Sequence, residues 1–277
     1  MLMRILKIGI LILVAIAALI YTLGGGFGDR TIQGNLATKS IQFAHRGLIN
    51  DTAENSLIGF ELARKSNYVA FETDVSATLD KQLVLFHDKN GKRLLGIDKP
   101  IDELTYSKLQ QYDILYKDKP TQKVPLLSTA LSHFEKSDSV YWYLDIKTPS
   151  KWMADSLVSI IKRESDVNQA IIASSNILFL SYLKWKEPEI QTVLEGYNAG
   201  KEWTHYAIPR NWKPDYYASF LNKIDDAHIR FLINNNLLHR KIVYGVTQEN
   251  LDRAKSHGIT KMVIDATLDI PKIIYCD

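Results

Sequence analysis

The stretch Phe43–Asp88 decides how this chain is read. It contains F-A-H-R-G (Phe43–Gly47), E-N-S (Glu54–Ser56), F-E-T-D-V (Phe71–Val75) and L-V-L-F-H-D (Leu83–Asp88). Each cluster of charge stands at or just past the end of a short apolar run. The runs Ile41–Ala44, Tyr68–Phe71 and Leu83–Phe86 read as buried strands. A parallel sheet collects the carboxyl ends of its strands on one face. On that face His45, Arg46, Glu72, Asp74, His87 and Asp88 can converge although little joins them in sequence. Two imidazoles, two carboxylates and a guanidinium at one mouth suit metal-assisted chemistry on a phosphate.

Outward from this stretch the chain alternates strand and helix. Helical spacing is read at Asn55–Lys65, Val124–Phe134, Lys151–Arg163, Asn176–Trp185, Ala227–Asn235 and Glu249–His257. Further strands are expected at Tyr141–Ile146, Ala170–Ala173, Gln191–Leu194, Asp215–Phe220, Lys241–Thr247 and Met262–Ile264. Such alternation predicts a parallel α/β fold, either a barrel or a doubly wound sheet. About nine strand candidates compete for the eight places of a barrel, so one must lie elsewhere. Among the 277 residues, 34 basic and 31 acidic side chains leave a net charge of +3, too balanced to suggest nucleic acid. The single cysteine, Cys276, excludes an internal disulfide and a cysteine-built metal site.

The amino terminus, Met1–Leu23, is apolar, with Arg4 and Lys7 near its start and no charge from there to Asp29. The uncharged run is slightly short for a bilayer, and snorkelling of Arg4 and Lys7 lengthens it. A cleaved signal peptide is the alternative, but no clear A-x-A site precedes Gly24. The expectation is an uncleaved transmembrane helix. Residues 1–28 then form a membrane anchor with a flexible Gly-rich linker at Gly24–Gly28, and residues 29–277 a catalytic domain. Basic residues ahead of the span place the amino terminus in the cytoplasm and the domain outside, periplasmic or extracellular.

Glu72 and Asp74, two apart on a strand, point to one face. Paired buried carboxylates need compensation, and a divalent cation such as Mg²⁺ or Ca²⁺ provides it. Asp145 and Lys147 also share a face at a strand end, as a third metal ligand and a phosphate contact. His45 and His87 are candidates for acid–base work, and Arg46 for a two-pronged phosphate contact or a salt bridge to Glu54. Arg210, beside Pro209 and Trp212, reads as a solvated loop, with a lipid or substrate head group as its alternative.

The ordered set H-R-G, E-N-S, E-T-D-V, F-H-D and L-D-I-K, from His45 to Lys147, resembles the glycerophosphodiester phosphodiesterase family. The tail is similar too: V-Y-G-V-T (Val243–Thr247) and G-I-T-K-M-V-I-D (Gly258–Asp265). The resemblance implies a (β/α)8 TIM barrel of the phosphatidylinositol-phospholipase-C-like kind. It implies hydrolysis of glycerophosphodiesters to an alcohol and glycerol 3-phosphate with a divalent cation, with a lysophospholipid as the alternative substrate. By motif, Glu72, Asp74 and Asp145 would bind metal, His45 and His87 would be general acid and base, and Arg46 and Lys147 would hold the phosphate. Glu54 would act in substrate binding by supporting Arg46, or support the metal. Three departures stand out: Asp145 in place of Glu, Tyr244-Gly245 in place of Trp-Thr, and an Asp265 not closely followed by Pro. Two other readings remain: a phospholipase D-like or cyclising lyase on the same fold, and a catalytically silent module that binds phosphodiesters.

Overall fold

A computed structural model describes residues 2–32, 36, 39–134, 140–265 and 273–275. Eight parallel strands form the barrel: β1 Lys39–His45, β2 Ala70–Ala77, β3 Tyr141–Ile146, β4 Ala170–Ser174, β5 Gln191–Glu195, β6 Tyr216–Phe220, β7 Lys241–Val246 and β8 Lys261–Ile264. They neighbour one another in chain order, and β1 closes the ring by pairing with both β8 and β2. Cys276 and the residues just after Asp265 lie outside the described residues.

The ninth strand candidate is Leu83–Leu85. It runs antiparallel to β2, with Val75 opposite Leu85, and is no part of the barrel. A short apolar run carries no sign of strand direction, which is why it counts as one strand too many in the sequence. It opens an insertion with its own apolar cluster, built on Val84, Phe86, Leu94, Leu95, Ile101, Leu104 and Leu109. The helix expected over Val124–Phe134 is shorter, Leu127–Leu131.

Period-two alternation sorts every barrel strand into two faces. Ile41, Phe43, Ala70, Tyr141, Tyr143, Ile171, Ala173, Val193, Tyr216, Ala218, Ile242 and Val263 fill the interior. Ala44, Phe71, Trp142, Leu144, Ile172, Leu194, Tyr217, Val243 and Ile264 face outward into the helical layer. Helices begin where polar caps allow: Ser56, Ser150, Asn176 and Asp225 each accept a backbone N–H of the first turn.

The amino-terminal helix, Leu2–Leu23, is long and apolar enough to cross a membrane, and Met3–Leu23 are exposed along their whole length. The glycines after it do not form a free tether. Gly24 and Gly26 are buried, and Arg210 and Asn211 donate backbone hydrogen bonds to the carbonyls of Gly26 (2.8 Å) and Gly24 (2.9 Å). An added Cβ on Gly24 would lie 2.2 Å from Pro209 Cβ, so this contact requires glycine. The segment at Arg210 is therefore a docking point for the linker rather than a solvated loop.

Candidate active site

The site residues on barrel strands continue the inward parity of the interior apolar side chains: His45 two residues beyond Phe43, Glu72 two and Asp74 four beyond Ala70, Asp145 two beyond Tyr143, Glu195 two beyond Val193, Tyr244 two beyond Ile242 and Asp265 two beyond Val263. The parity that buries the barrel interior thus aims these side chains into the mouth at the strand ends. They line a cavity of about 300 Å³ together with Arg46, His87, Lys147 and Phe220.

Asp74 and Asp145 are opposite in the β2–β3 register, as are His45 and Glu72 in β1–β2. Glu72, Asp74 and Asp145 each offer a carboxylate oxygen within 4.8 Å of the others. Burial first, then Asp74, pushes the Glu72 carboxyl up to about 8. Burial also acts on Asp74, but Arg46 and Lys147 outweigh it and hold that carboxyl below the usual range. Burial raises Asp145; Lys147 opposes the shift and Asp74 adds to it. Asp74 Oδ1 is buried and accepts no well-angled hydrogen bond, although Lys147 Nζ lies 2.8 Å away. Three clustered carboxylates, one with such an oxygen, fit a hard divalent cation. Asp145, though a methylene shorter than glutamate, still reaches this cluster.

Lys147 Nζ is also 2.5 Å from Asp145 Oδ2. Burial disfavours its charge, but Asp74 and Asp145 outweigh this and keep the ammonium protonated.

The E-N-S motif divides its work. Asn55, at φ 54°, donates to Asp74 Oδ2 (2.8 Å) and accepts from Thr73 Oγ1 and the Asp74 backbone. Ser56 caps the next helix. Glu54 accepts from Arg46 (3.0 Å) and from Arg93 in a two-pronged pair (2.7 and 2.9 Å). Glu54 does not line the cavity; it is buried behind Arg46, where both its oxygens are engaged by arginines. That geometry supports Arg46 and offers neither a direct substrate contact nor a metal ligand. Arg46 Nε also stands 2.9 Å from Asp74 Oδ2. Gly47, at φ 81°, packs so closely on the following helix that a Cβ would lie 2.8 Å from the Gly59 carbonyl carbon.

Both histidines are oriented by a carboxylate on Nδ1. Asp265 holds His45 and Asp88 holds His87, the latter at 2.7 Å. His45 Nε2 faces Glu72 at 3.7 Å. Burial disfavours the charged His45, but Glu72 and Asp265 prevail and raise its pKa. Asp88 is drawn down to about 2, mainly by Arg93, which grips it from the insertion (2.7 Å). His87 thus arrives on the hairpin partner of β2 rather than at the end of a barrel strand.

Glu195, Tyr143, Asp265 and Arg93 were not assigned roles from the sequence. Glu195 accepts from the Tyr143 hydroxyl and is hydrogen-bonded by Tyr244 as well. Burial, then Asp145, pushes Glu195 up to about 7. Phe220 packs edge-on against Tyr244 with ring centroids 4.2 Å apart, forming one wall of the mouth. Strand parity from Val193 is the signal in the sequence that could have found Glu195.

Residues 45–266 match the Glycerophosphoryl diester phosphodiesterase family. A glycerophosphodiester phosphodiesterase of Bacillus subtilis is 26% identical over 254 residues, covering 78% of this chain and 85% of that protein. Human Lysophospholipase D GDPD1 is 26% identical over 146 residues, 50% of this chain; the chain spans 46% of that protein's length. Among solved structures, an Oleispira antarctica phosphodiesterase in complex with the product sn-glycerol-3-phosphate has the same fold. Its TM-score is 0.71 at 18% identity, covering 81% of this chain and 92% of that one. With the family's match running from His45 past Asp265, the chain belongs to the glycerophosphoryl diester phosphodiesterase family.

Proposed function

We propose that this chain is a membrane-anchored phosphodiesterase that hydrolyses glycerophosphodiesters to an alcohol and glycerol 3-phosphate. The observation that carries the reading is the cluster of Glu72, Asp74 and Asp145 between two carboxylate-oriented imidazoles at the barrel mouth. The named activities of the relatives in Bacillus subtilis and Oleispira antarctica support it. Glu72, Asp74 and Asp145 would hold a divalent cation, Mg²⁺ or Ca²⁺, which would supply charge neutralisation to the phosphate.

The remaining steps belong to the chain's own groups. Arg46 and Lys147 bind the phosphate and offset its developing negative charge. One imidazole, neutral, takes the proton of the glycerol hydroxyl adjacent to the phosphate. The other, charged, protonates the leaving alcohol oxygen. Water then opens the resulting cyclic phosphate by the reverse proton traffic. The Phe220–Tyr244 wall and Glu195 border the space left for the substrate. The helix Leu2–Leu23 holds the enzyme in the bilayer, with the amino terminus cytoplasmic and the barrel outside.

The test is a panel of glycerophosphodiesters and lysophospholipids followed by phosphorus NMR, with chelator and then metal added back. Glycerol 3-phosphate is expected to form, to stop in chelator and to resume with Mg²⁺ or Ca²⁺. Release from no diester refutes the enzyme reading, and full activity in excess chelator refutes the cation. A cyclic phosphate as end product marks a lyase instead.

A further inference from the structure

We infer that the barrel is strapped to the bilayer by its strand-start face, so that its mouth points away from the membrane and takes water-soluble glycerophosphodiesters rather than lipids of its own leaflet. This rests on the anchored phosphodiesterase reading and names the substrate class of that site.

Among the described residues, the hydrogen bonds and ion pairs that join the strap to the barrel are made where strands begin. Gly24 and Gly26 bond to Arg210 and Asn211, which precede β6. Arg30 pairs with Asp215, the residue just before β6, and Asp215 is itself buried and bonded to Lys184 and the Thr192 backbone. Arg240, just before β7, donates to Asp29 (3.0 Å) and to the Arg30 carbonyl. Leu36 then closes the barrel interior from below, packing with Ile41 and Phe43. The site residues borne by barrel strands lie toward the opposite ends of the parallel strands, and His87 joins them from the hairpin beside β2. The two faces are therefore separated by a strand length, on the order of 15 Å before loops are added.

The strap also restricts tilting. The helix end is closed by Gly26 N–H donating to the Tyr21 carbonyl (2.8 Å), and Asn211 Nδ2 reaches the Leu23 carbonyl (3.3 Å). A side-chain hydrogen bond to Leu23 and backbone hydrogen bonds to Gly24 and Gly26 thus join the helix end to the barrel, and two arginine–aspartate pairs follow within a few residues. From Met3 to Leu23 the helix is exposed, so it leaves the barrel rather than lying along it toward the mouth. Trp185 is exposed next to Lys184, on the strap side, where an interfacial aromatic would sit. Leu178 and Trp203 expose apolar surface near the mouth, and a membrane-borne substrate therefore belongs in the test.

The full chain, with Cys276→Ser, is reconstituted in phosphatidylcholine vesicles containing lysophosphatidylcholine. Single cysteines replace Lys92, exposed beside the mouth, or Glu189, exposed before β5, and carry a dye read against acceptors on the lipid head groups. The Glu189 dye is expected to be strongly quenched and the Lys92 dye weakly. Glycerophosphocholine added in solution is expected to turn over. A second form carries about twelve Gly/Ser residues between Leu23 and Gly24, so that the helix is uncoupled while Gly24, Gly26, Asp29 and Arg30 keep their contacts with the barrel. It is expected to hydrolyse the vesicle lipid about tenfold faster or more than the strapped form, and glycerophosphocholine equally well. Stronger quenching at Lys92, or equal rates of both forms on the vesicle lipid, overturns the proposal. If the full chain fails to float with the vesicles, the anchor and the orientation both fall. If neither form cleaves either substrate, the phosphodiesterase reading falls and takes the substrate class with it, while the dye pair still decides the orientation.

Discussion

Asp265 and His45, 220 residues apart, are joined by a hydrogen bond across the seam where β8 meets β1. The bond fixes which ring nitrogen faces the cavity and favours the charged imidazole. Asp265→Asn is therefore expected to lower kcat by roughly 10–100-fold while cation affinity stays near normal. The variant's His45 pKa moves down, so the corresponding limb of the pH–rate profile moves to lower pH. An unchanged profile with unchanged kcat refutes the positioning role.

Glu72 is expected to be the group through which pH reaches the proposed cation site. Its carboxyl is pushed up to about 8 from an ordinary 4.5. The cation-free folded state then keeps a proton that the unfolded chain has lost at intermediate pH. This contribution to stability is present below about 4.5 and is lost as pH rises through about 8. Cation binding needs the carboxylate and displaces that proton, so affinity should rise with pH up to the same region. The gain in Tm on adding Mg²⁺ or Ca²⁺ is expected to be larger at pH 8 than at pH 6. Calorimetry with and without chelator checks this, and Glu72→Gln should abolish the difference. Asp145→Glu, which restores a longer arm, should keep more cation affinity than Asp145→Ala.

Glu54 sits between Arg46 and Arg93 with only 4% of its surface exposed. Removing Glu54 takes one carboxylate from each guanidinium, leaving Arg46 with Asp74 and Arg93 with Asp88, and Arg46 is the more enclosed of the two. Glu54→Ala should cost about 3 kcal/mol, the low end for a buried pair because Arg93 is half exposed and screened by solvent. Urea titration measures that cost. Arg46 would lose its orientation, so KM for the diester should rise more than kcat falls. Wild-type stability and KM in this variant would refute the supporting role.

The barrel was legible because its strands obey a period of two and its site residues continue that period past the last apolar position. His45, Glu72, Asp74 and Asp145 stand out for this reason. Glu195 follows the same rule but lies just past the expected strand Gln191–Leu194, whereas the observed strand includes it. Arg93 carries no such signal: it reaches Glu54 and Asp88 from a four-residue helix inside the insertion, through contacts no local pattern encodes. Leu83–Leu85 misled in the other direction, since the hairpin turn at Thr78–Gln82 reverses the chain without altering the apolar run. The glycines at Gly24–Gly28 have the composition of a tether, and only the packing of Pro209 and Asn211 against them reveals a docked segment.

The two imidazoles carry the last prediction. Each keeps Nε2 available to the cavity while a carboxylate holds Nδ1, and one must be neutral and the other charged for the proton transfers to work in sequence. The pH–rate profile should therefore be bell-shaped. His45→Ala or His87→Ala should each lower kcat by about 10²–10⁴, with cation binding near normal because the carboxylates remain. The double variant should fall little below the worse single one, since both groups serve one cycle. A diester whose glycerol lacks the hydroxyl next to the phosphate separates internal attack from direct attack by water. That analogue is expected to bind with ordinary affinity and to resist cleavage. Turnover at the normal rate would reject the internal step and leave the phosphodiesterase assignment standing. Wild-type turnover in both alanine variants would reject the acid–base roles of His45 and His87 altogether.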